Sequence, residues 1–299
     1  MSELLSKIAG MGTIFLGSEA LARGELTRGR LRSAYRPIFP DVYQPRIAEP
    51  TLYGNTMAAW LWSKRRAVIT GRAASALHGA KWVDDEAPIE LIWQNHRPPA
   101  GIVTHNDRFT CDDVVEINGM AVATIQRTAL DLGRFLPRGA AVAHLDALAA
   151  ATGLAADHVL PLVEDFRGAH GVRRCREALS LMDAGGQSPK ETWLRLLLMD
   201  DGYPRPETQI PVLDECGYEF AYLDMGWEHA MIAVAYDGDQ HRTDRVRYAW
   251  DVIRLRKIER RGWLHVRVIK EDRPRDILAR VRAAWARRQA EGRVAQRPA

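Results

Sequence analysis

No apolar run in this chain approaches the ~18 residues that a helix needs to cross a bilayer. Residues 1–12 lack the basic-then-apolar layout of a secretory leader. Cysteine is scarce: Cys111, Cys175 and Cys216 are scattered, odd in number and without metal-ligand spacing. These absences argue against a membrane span, a disulfide scaffold and a cysteine metal site. They set the expectation of a reducing cytoplasm.

What is present is a globular composition, 46% hydrophobic and 27% charged. At 299 residues the chain exceeds one compact domain, so two or three are expected. Charge is unevenly spread. From residue 242 onward there are 18 basic and 7 acidic residues, a net +11, while the whole chain nets only +4. A basic C-terminal segment behind an acidic remainder points to a polyanion partner, nucleic acid first. A solvated helix face with a basic tail is the plainer reading of the same charges.

Residues 1–50 read as a small helical unit with a wing. "GSEALARGELTRGRLRSAY" gives a short helix over 18–23, a turn at Gly24 and a second helix that Thr27 can cap. The alternating, proline-bearing "RPIFPDVYQP" suits a wing. Helix, tight turn, helix is the layout of a helix-turn-helix, and Arg28, Arg30 and Arg32 on its second helix could reach phosphates or base edges. Arginines on the wet face of an ordinary helical hairpin would look the same. Residues 51–138 read as a small mixed α/β domain. Its strands are expected at 67–69, in "APIELIWQ", in "AGIVTHND" and in "GMAVATI", and its helices in "GRAASALHG" and "TIQRTALDLGRF". Gly71 before a helix could mark a phosphate site but is more simply turn geometry. Residues 139–186, rich in Ala and Leu, read as a helical connector.

The segments "FLGSEALARGELTRGRLRSAYRPIFPDVYQ", "TGRAASALHGA" and "VATIQRTALDLGR" resemble the AbiEi-type antitoxin family. The resemblance covers the first half of the chain and implies a DNA-binding winged helix over 19–43. It does not imply that the chain is itself an antitoxin.

Candidate chemistry lies in residues 187–290, followed by a basic tail at 291–299. "QSPKETWLRLLLMDDGY" opens a helix, "YEFAYLD" and "MIAVAYDG" are strands, "TDRVRYAWDVIRLRKIERRG" is a helix, "WLHVRVIK" a strand and "PRDILARVRAAWARRQ" a closing helix. This order predicts a mixed sheet flanked by helices. Asp224 is placed at the end of the first strand and Asp237 at the end of the second, and the short link between them makes the strands antiparallel neighbours. Positions 235 and 237 share a face because side chains alternate along a strand. Carboxylates there would suit Mg²⁺ or Mn²⁺, and His241 could serve as acid, base or water-orienting group. Each residue has a structural alternative. Ser188-Pro189-Lys190-Glu191 is a capping box, Asp237-Gly238 can be a turn, and Asp251 with Arg254 can be a surface pair.

Taken together, "SPKETWLRLLL", "FAYLD", "VAYDGDQHR" and "WDVIRLRKIERRGW" resemble restriction-endonuclease-like domains related to very-short-patch-repair endonucleases, in the PD-(D/E)xK nuclease superfamily. The resemblance implies an active site of Glu191, Asp224, Asp237 and His241 with Mg²⁺ as cofactor. It places the metal on Asp224 and the residue at 235. Arg254 would contact or support the phosphate, and the neighbouring Arg242 and Arg245 are further DNA-contact candidates.

One departure stands out. The family's second strand typically carries Glu-x-Asp-Gly, and this chain has Ala235-Tyr236-Asp237-Gly238. Alanine cannot ligate Mg²⁺. Either a nuclease has been inactivated at this position, which the intact remainder of the motif favours, or the chain is a degenerate copy that binds DNA without cutting. The expectation is an α/β multidomain, cytoplasmic DNA endonuclease, set in DNA repair. Its partner would be DNA and not a membrane, with room for a homodimer. A non-catalytic DNA-binding antitoxin or repressor is the alternative.

Overall fold

The computed structural model describes residues 14–95, 97–237 and 245–294, residues 245–252 by their backbone alone. The chain forms two compact units, Met1–Ser180 and Leu181–Ala299. It is a mixed α/β protein with three sheets among the described residues. None of its described helices is long and apolar enough to cross a membrane.

The first unit starts with β1 (Phe15–Leu16), α1 (Gly17–Ala22), α2 (Arg28–Ala34), β2 (Tyr35–Phe39) and β3 (Val42–Pro45), its strands ordered β1-β3-β2. Thr27 caps α2 as expected, its Oγ1 accepting from the Arg30 N–H at 3.2 Å. The β2–β3 hairpin stands where the wing was expected. Helix α3 (Leu52–Trp62) leads to a five-stranded sheet ordered β6-β5-β4-β8-β7. These strands are β4 (Val68–Thr70), β5 (Ile89–Ile92), β6 (Ile102–His105), β7 (Val114–Ile117) and β8 (Met120–Ala123), and α4 (Gly71–Leu77) follows β4. Leu16 and Val42 of the three-stranded sheet bury into the same core as Ala58, Ile69, Leu91 and Val122, so the winged segment and the five-stranded sheet are stabilised together. Helices α5 (Ile125–Phe135), α6 (Arg138–Thr152), α7 (Leu160–Asp165) and α8 (Val172–Leu181) complete the unit.

Strand β7 was not expected from the sequence. It pairs antiparallel with β8 through Asn118-Gly119, both at positive φ (51° and 77°), the backbone a tight two-residue hairpin demands.

The second unit holds α9 (Pro189–Asp200), β9 (Glu207–Leu213), β10 (Glu219–Trp227), β11 (Ile232–Asp237), α10 (Arg245–Arg260), β12 (Leu264–Ile269) and α11 (Pro274–Ala290). The sheet order is β12-β11-β10-β9, with β10 antiparallel to both β9 and β11 and β11 parallel to β12 through the α10 crossover. Alternation assigns the faces. Val234 and Ile232 pack with Leu194 and Leu198 of α9 and with Ile277, Val281 and Trp285 of α11. Ala233 packs instead with Leu223, Trp263 and Ile258 of α10. The basic helix therefore lies over the opposite sheet face from α9 and α11.

Two features differ from the sequence reading. Strand β9 is an additional edge strand containing Pro211, which has no N–H to donate and is tolerated at an edge. Asp224 does not end its strand. β10 runs on through Met225, Gly226 and Trp227, which pair with Val234, Ala233 and Ile232. The reason is burial: Met225 and Trp227 are core residues, so the ladder extends past the acid to cover them.

Candidate functional site

Glu191, Asp224, Ala235, Asp237 and Arg254 line one pocket of about 340 Å³ in the second unit. They come from α9, β10, β11 and α10. His241 and Arg242 lie outside the described residues, and Arg245 opens α10 with its side chain outside the description. Arg28, Arg30 and Arg32 belong to the other unit, exposed on α2.

Each acid sits differently. The Ser188 capping box is formed. Ser188 Oγ accepts from the Glu191 N–H at 3.2 Å, and the Glu191 carboxylate accepts from the Gln187 N–H at 3.0 Å and the Ser188 hydroxyl at 2.8 Å. So Glu191 is both a helix cap and a pocket acid. Burial raises its pKa, and these two donors oppose the shift. Asp224 sits one residue before the stretch of β10 that pairs with β11. Burial and then repulsion from Glu191 push its pKa up from 3.8 to about 6, against the pull of Arg254 and the Tyr236 N–H. Asp237 is ion-paired with Arg267.

Arg267, Tyr222, His265 and Gln187 also line the pocket and were not singled out from the sequence. Arg267 is the parallel-strand partner of Ala235, so a guanidinium stands beside the position where the resemblance has a glutamate. Its only sequence signal is alternation: Val266 and Val268 on β12 are core and Arg267 between them is not. Burial lowers the pKa of His265, with Arg254 adding to the shift. The pocket thus sets two carboxyls of raised pKa beside two arginines. The arginines can hold a phosphate, and Asp224, with its pKa at about 6, can take or give a proton near neutrality.

Asp224 gives a pH-dependent stability. The folded chain keeps this proton up to about pH 6, whereas an ordinary carboxyl releases it near 3.8. Stability therefore falls as pH rises from 3.8 to 6, and the cost is complete above that window. Asp224→Asn removes a penalty on the order of 3 kcal/mol. It is expected to raise the melting temperature of this unit at pH 7–8 and leave it little changed near pH 4. Melting curves across pH 4–8 test this, and a profile parallel to the parent's at every pH would refute it.

Two curated proteins of Mycobacterium tuberculosis, one from strain H37Rv and one from strain CDC 1551, both described only as uncharacterized, are each 27% identical to this chain over 226 residues. The aligned stretch covers 75% of this chain and 82% of each relative. No protein-family model matches the chain.

Proposed function

We propose that this chain is a Mg²⁺-type DNA endonuclease whose cutting is disabled at Ala235, so that it holds DNA without hydrolysing it. The observation that supports this reading is the pocket itself, in which Asp224 and Glu191 face Arg254 and Arg267 across strands and helices that are distant in sequence. A phosphodiester needs cations for its oxygens and carboxylates near the scissile bond, and the pocket has both. DNA repair is the setting that the resemblance to repair endonucleases suggests.

Among the described residues the donors do not complete a site for a divalent cation. Ala235 offers no oxygen, Asp237 is held by Arg267, and Glu191 spends both carboxylate oxygens on its cap. No cluster of three His, Cys, Asp or Glu suited to a metal occurs among the described residues. Cleavage of single-stranded, duplex and branched DNA, by this chain and by Ala235→Glu, tests the reading.

The second reading is a non-catalytic regulator that binds its own promoter through the winged segment. It is favoured by Arg28, Arg30 and Arg32, exposed on α2 with no ion pair among the described residues. Both readings require contact with DNA phosphates. Log affinity for duplex DNA is expected to fall linearly with log salt, with a slope of roughly −0.9 per phosphate contacted. A binding titration from 50 to 200 mM salt measures it, and a flat response would remove both readings.

A further inference from the structure

The first unit contains a second concave site, far in sequence from the carboxylate pocket. It has a volume of about 680 Å³ and lies where the chain passes from α7 into α8. Four arginines line it, Arg167, Arg173, Arg174 and Arg176, against a single acid, Glu164. Arg176 is tied to Glu164 at 2.7 Å, and Arg174 donates to the Arg134 carbonyl at 2.7 Å. The side chains of Arg167 and Arg173 have no ion pair or hydrogen bond among the described residues, and both are exposed. No aromatic ring lines the pocket, so it has nothing on which to stack a base.

The backbone adds to the same charge. Gly171 precedes α8 at φ +82°, and a Cβ there would lie 2.3 Å from the Arg134 carbonyl oxygen, so the turn requires glycine. The first turn of α8 contains no acid. The N–H groups of Arg173 and Arg174 meet no acceptor among the described residues. Two unneutralised guanidinium groups, Arg167 and Arg173, therefore line one cavity with the first turn of α8.

We propose that this pocket is a phosphate-binding site and that the phosphates it takes are those of a DNA backbone. It recognises charge and not base identity. The choice of DNA rests on the proposed function above; the phosphate chemistry rests on the pocket alone.

The test uses the full chain. Arg167→Ala/Arg173→Ala is compared with the parent for binding of a labelled 20-base-pair duplex across salt concentrations. Two lost phosphate contacts are expected to weaken binding about tenfold at low salt and to make the log–log slope shallower by about 2. Both side chains are exposed and unpaired, and an unchanged melting temperature confirms that the variant folds. Glu164→Gln releases Arg176 and is expected to tighten binding severalfold, a gain that damage to the fold cannot imitate. If the parent binds DNA and the double variant matches it in affinity and slope, this inference is overturned while the DNA-binding reading stands. Pyrophosphate, followed by its stabilisation of the chain on heating, is the second arm. If the parent does not bind DNA but binds pyrophosphate, and the double variant does not, the phosphate site stands with a small phosphorylated compound as its source, and the DNA reading fails. If neither probe responds to the double substitution, the site is refuted.

Discussion

Ala235→Glu is expected to give Mg²⁺-dependent DNA cleavage at least about 10²-fold above that of the chain as written, the scale on which misplacing a reacting group costs rate. The substitution adds a carboxylate to the pocket that already holds Asp224 and Glu191. It also places that carboxylate beside Arg267, the strand partner of position 235. That neighbour has two consequences. The new charge is partly compensated, so the variant folds without metal. And Arg267, now shared between two acids, holds Asp237 less firmly, which frees an oxygen ligand in the same pocket. Added Mg²⁺ is expected to raise the variant's melting temperature and not the parent's, because only a ligand that binds the folded state shifts the equilibrium. Chelation by EDTA, and Asp224→Asn in the Ala235→Glu background, are both expected to abolish the gained cleavage. If Ala235→Glu cuts single-stranded, duplex and branched DNA no faster than the parent, the endonuclease reading fails and the regulator reading replaces it.

Arg127→Ala is expected to destabilise the first unit by about 3–5 kcal/mol, enough to unfold a marginal domain at 37 °C. Arg127 is fully buried and holds three things at once. Its Nε meets Asp131 at 3.0 Å, one Nη meets Asp107 at 3.1 Å and the other donates to the Arg108 carbonyl at 2.7 Å. Its guanidinium also stands 4.8 Å from the Phe166 ring centre. Asp131, itself 1% exposed, depends on this arginine and on the Thr70 hydroxyl at 2.6 Å. Truncation leaves Asp131 charged, buried and underpaired, or forces it to take up a proton. Burial already pushes its pKa upward despite the two arginines beside it. Arg127→Lys is expected to recover only part of the loss, because an ammonium cannot span three acceptors as a planar guanidinium does. Denaturant melts report it, and a loss below about 1 kcal/mol would show that the network contributes little.

The sequence was legible where periodicity and local chemistry agree. The Ser188 capping box, the Thr27 cap, the alternation of β10 to β12 and the glycine-stopped basic helix all follow from residues within a few positions of one another. Where local signals conflicted, elements went unread. Pro211 reads against a strand, and β9 exists because an edge strand can spare one donor. β7 is four residues long, and only the Asn118-Gly119 turn announces it. Contacts fixed by tertiary structure left no trace at all. Nothing near position 267 tells of Asp237 or Ala235, since their proximity is created by a parallel crossover through α10. Arg127, Asp131 and Arg134 are charged residues on one helix, and nothing local tells that all three are buried. The pocket acids could be grouped from sequence because a family resemblance linked them; the arginines that face them could not.

The double use of Glu191 couples the pocket to the order of α9. Its carboxylate oxygens hold the Gln187 N–H and the Ser188 hydroxyl, the two donors that fasten the first turn of the helix. A cation that drew the carboxylate inward would take those acceptors away, and the turn would fray as the pocket filled. The exchange is reciprocal: whatever tightens the helix start weakens the grip of Glu191 on a cation by the same factor. In a variant that binds a cation through Glu191, the start of α9 would therefore be less ordered than in the parent.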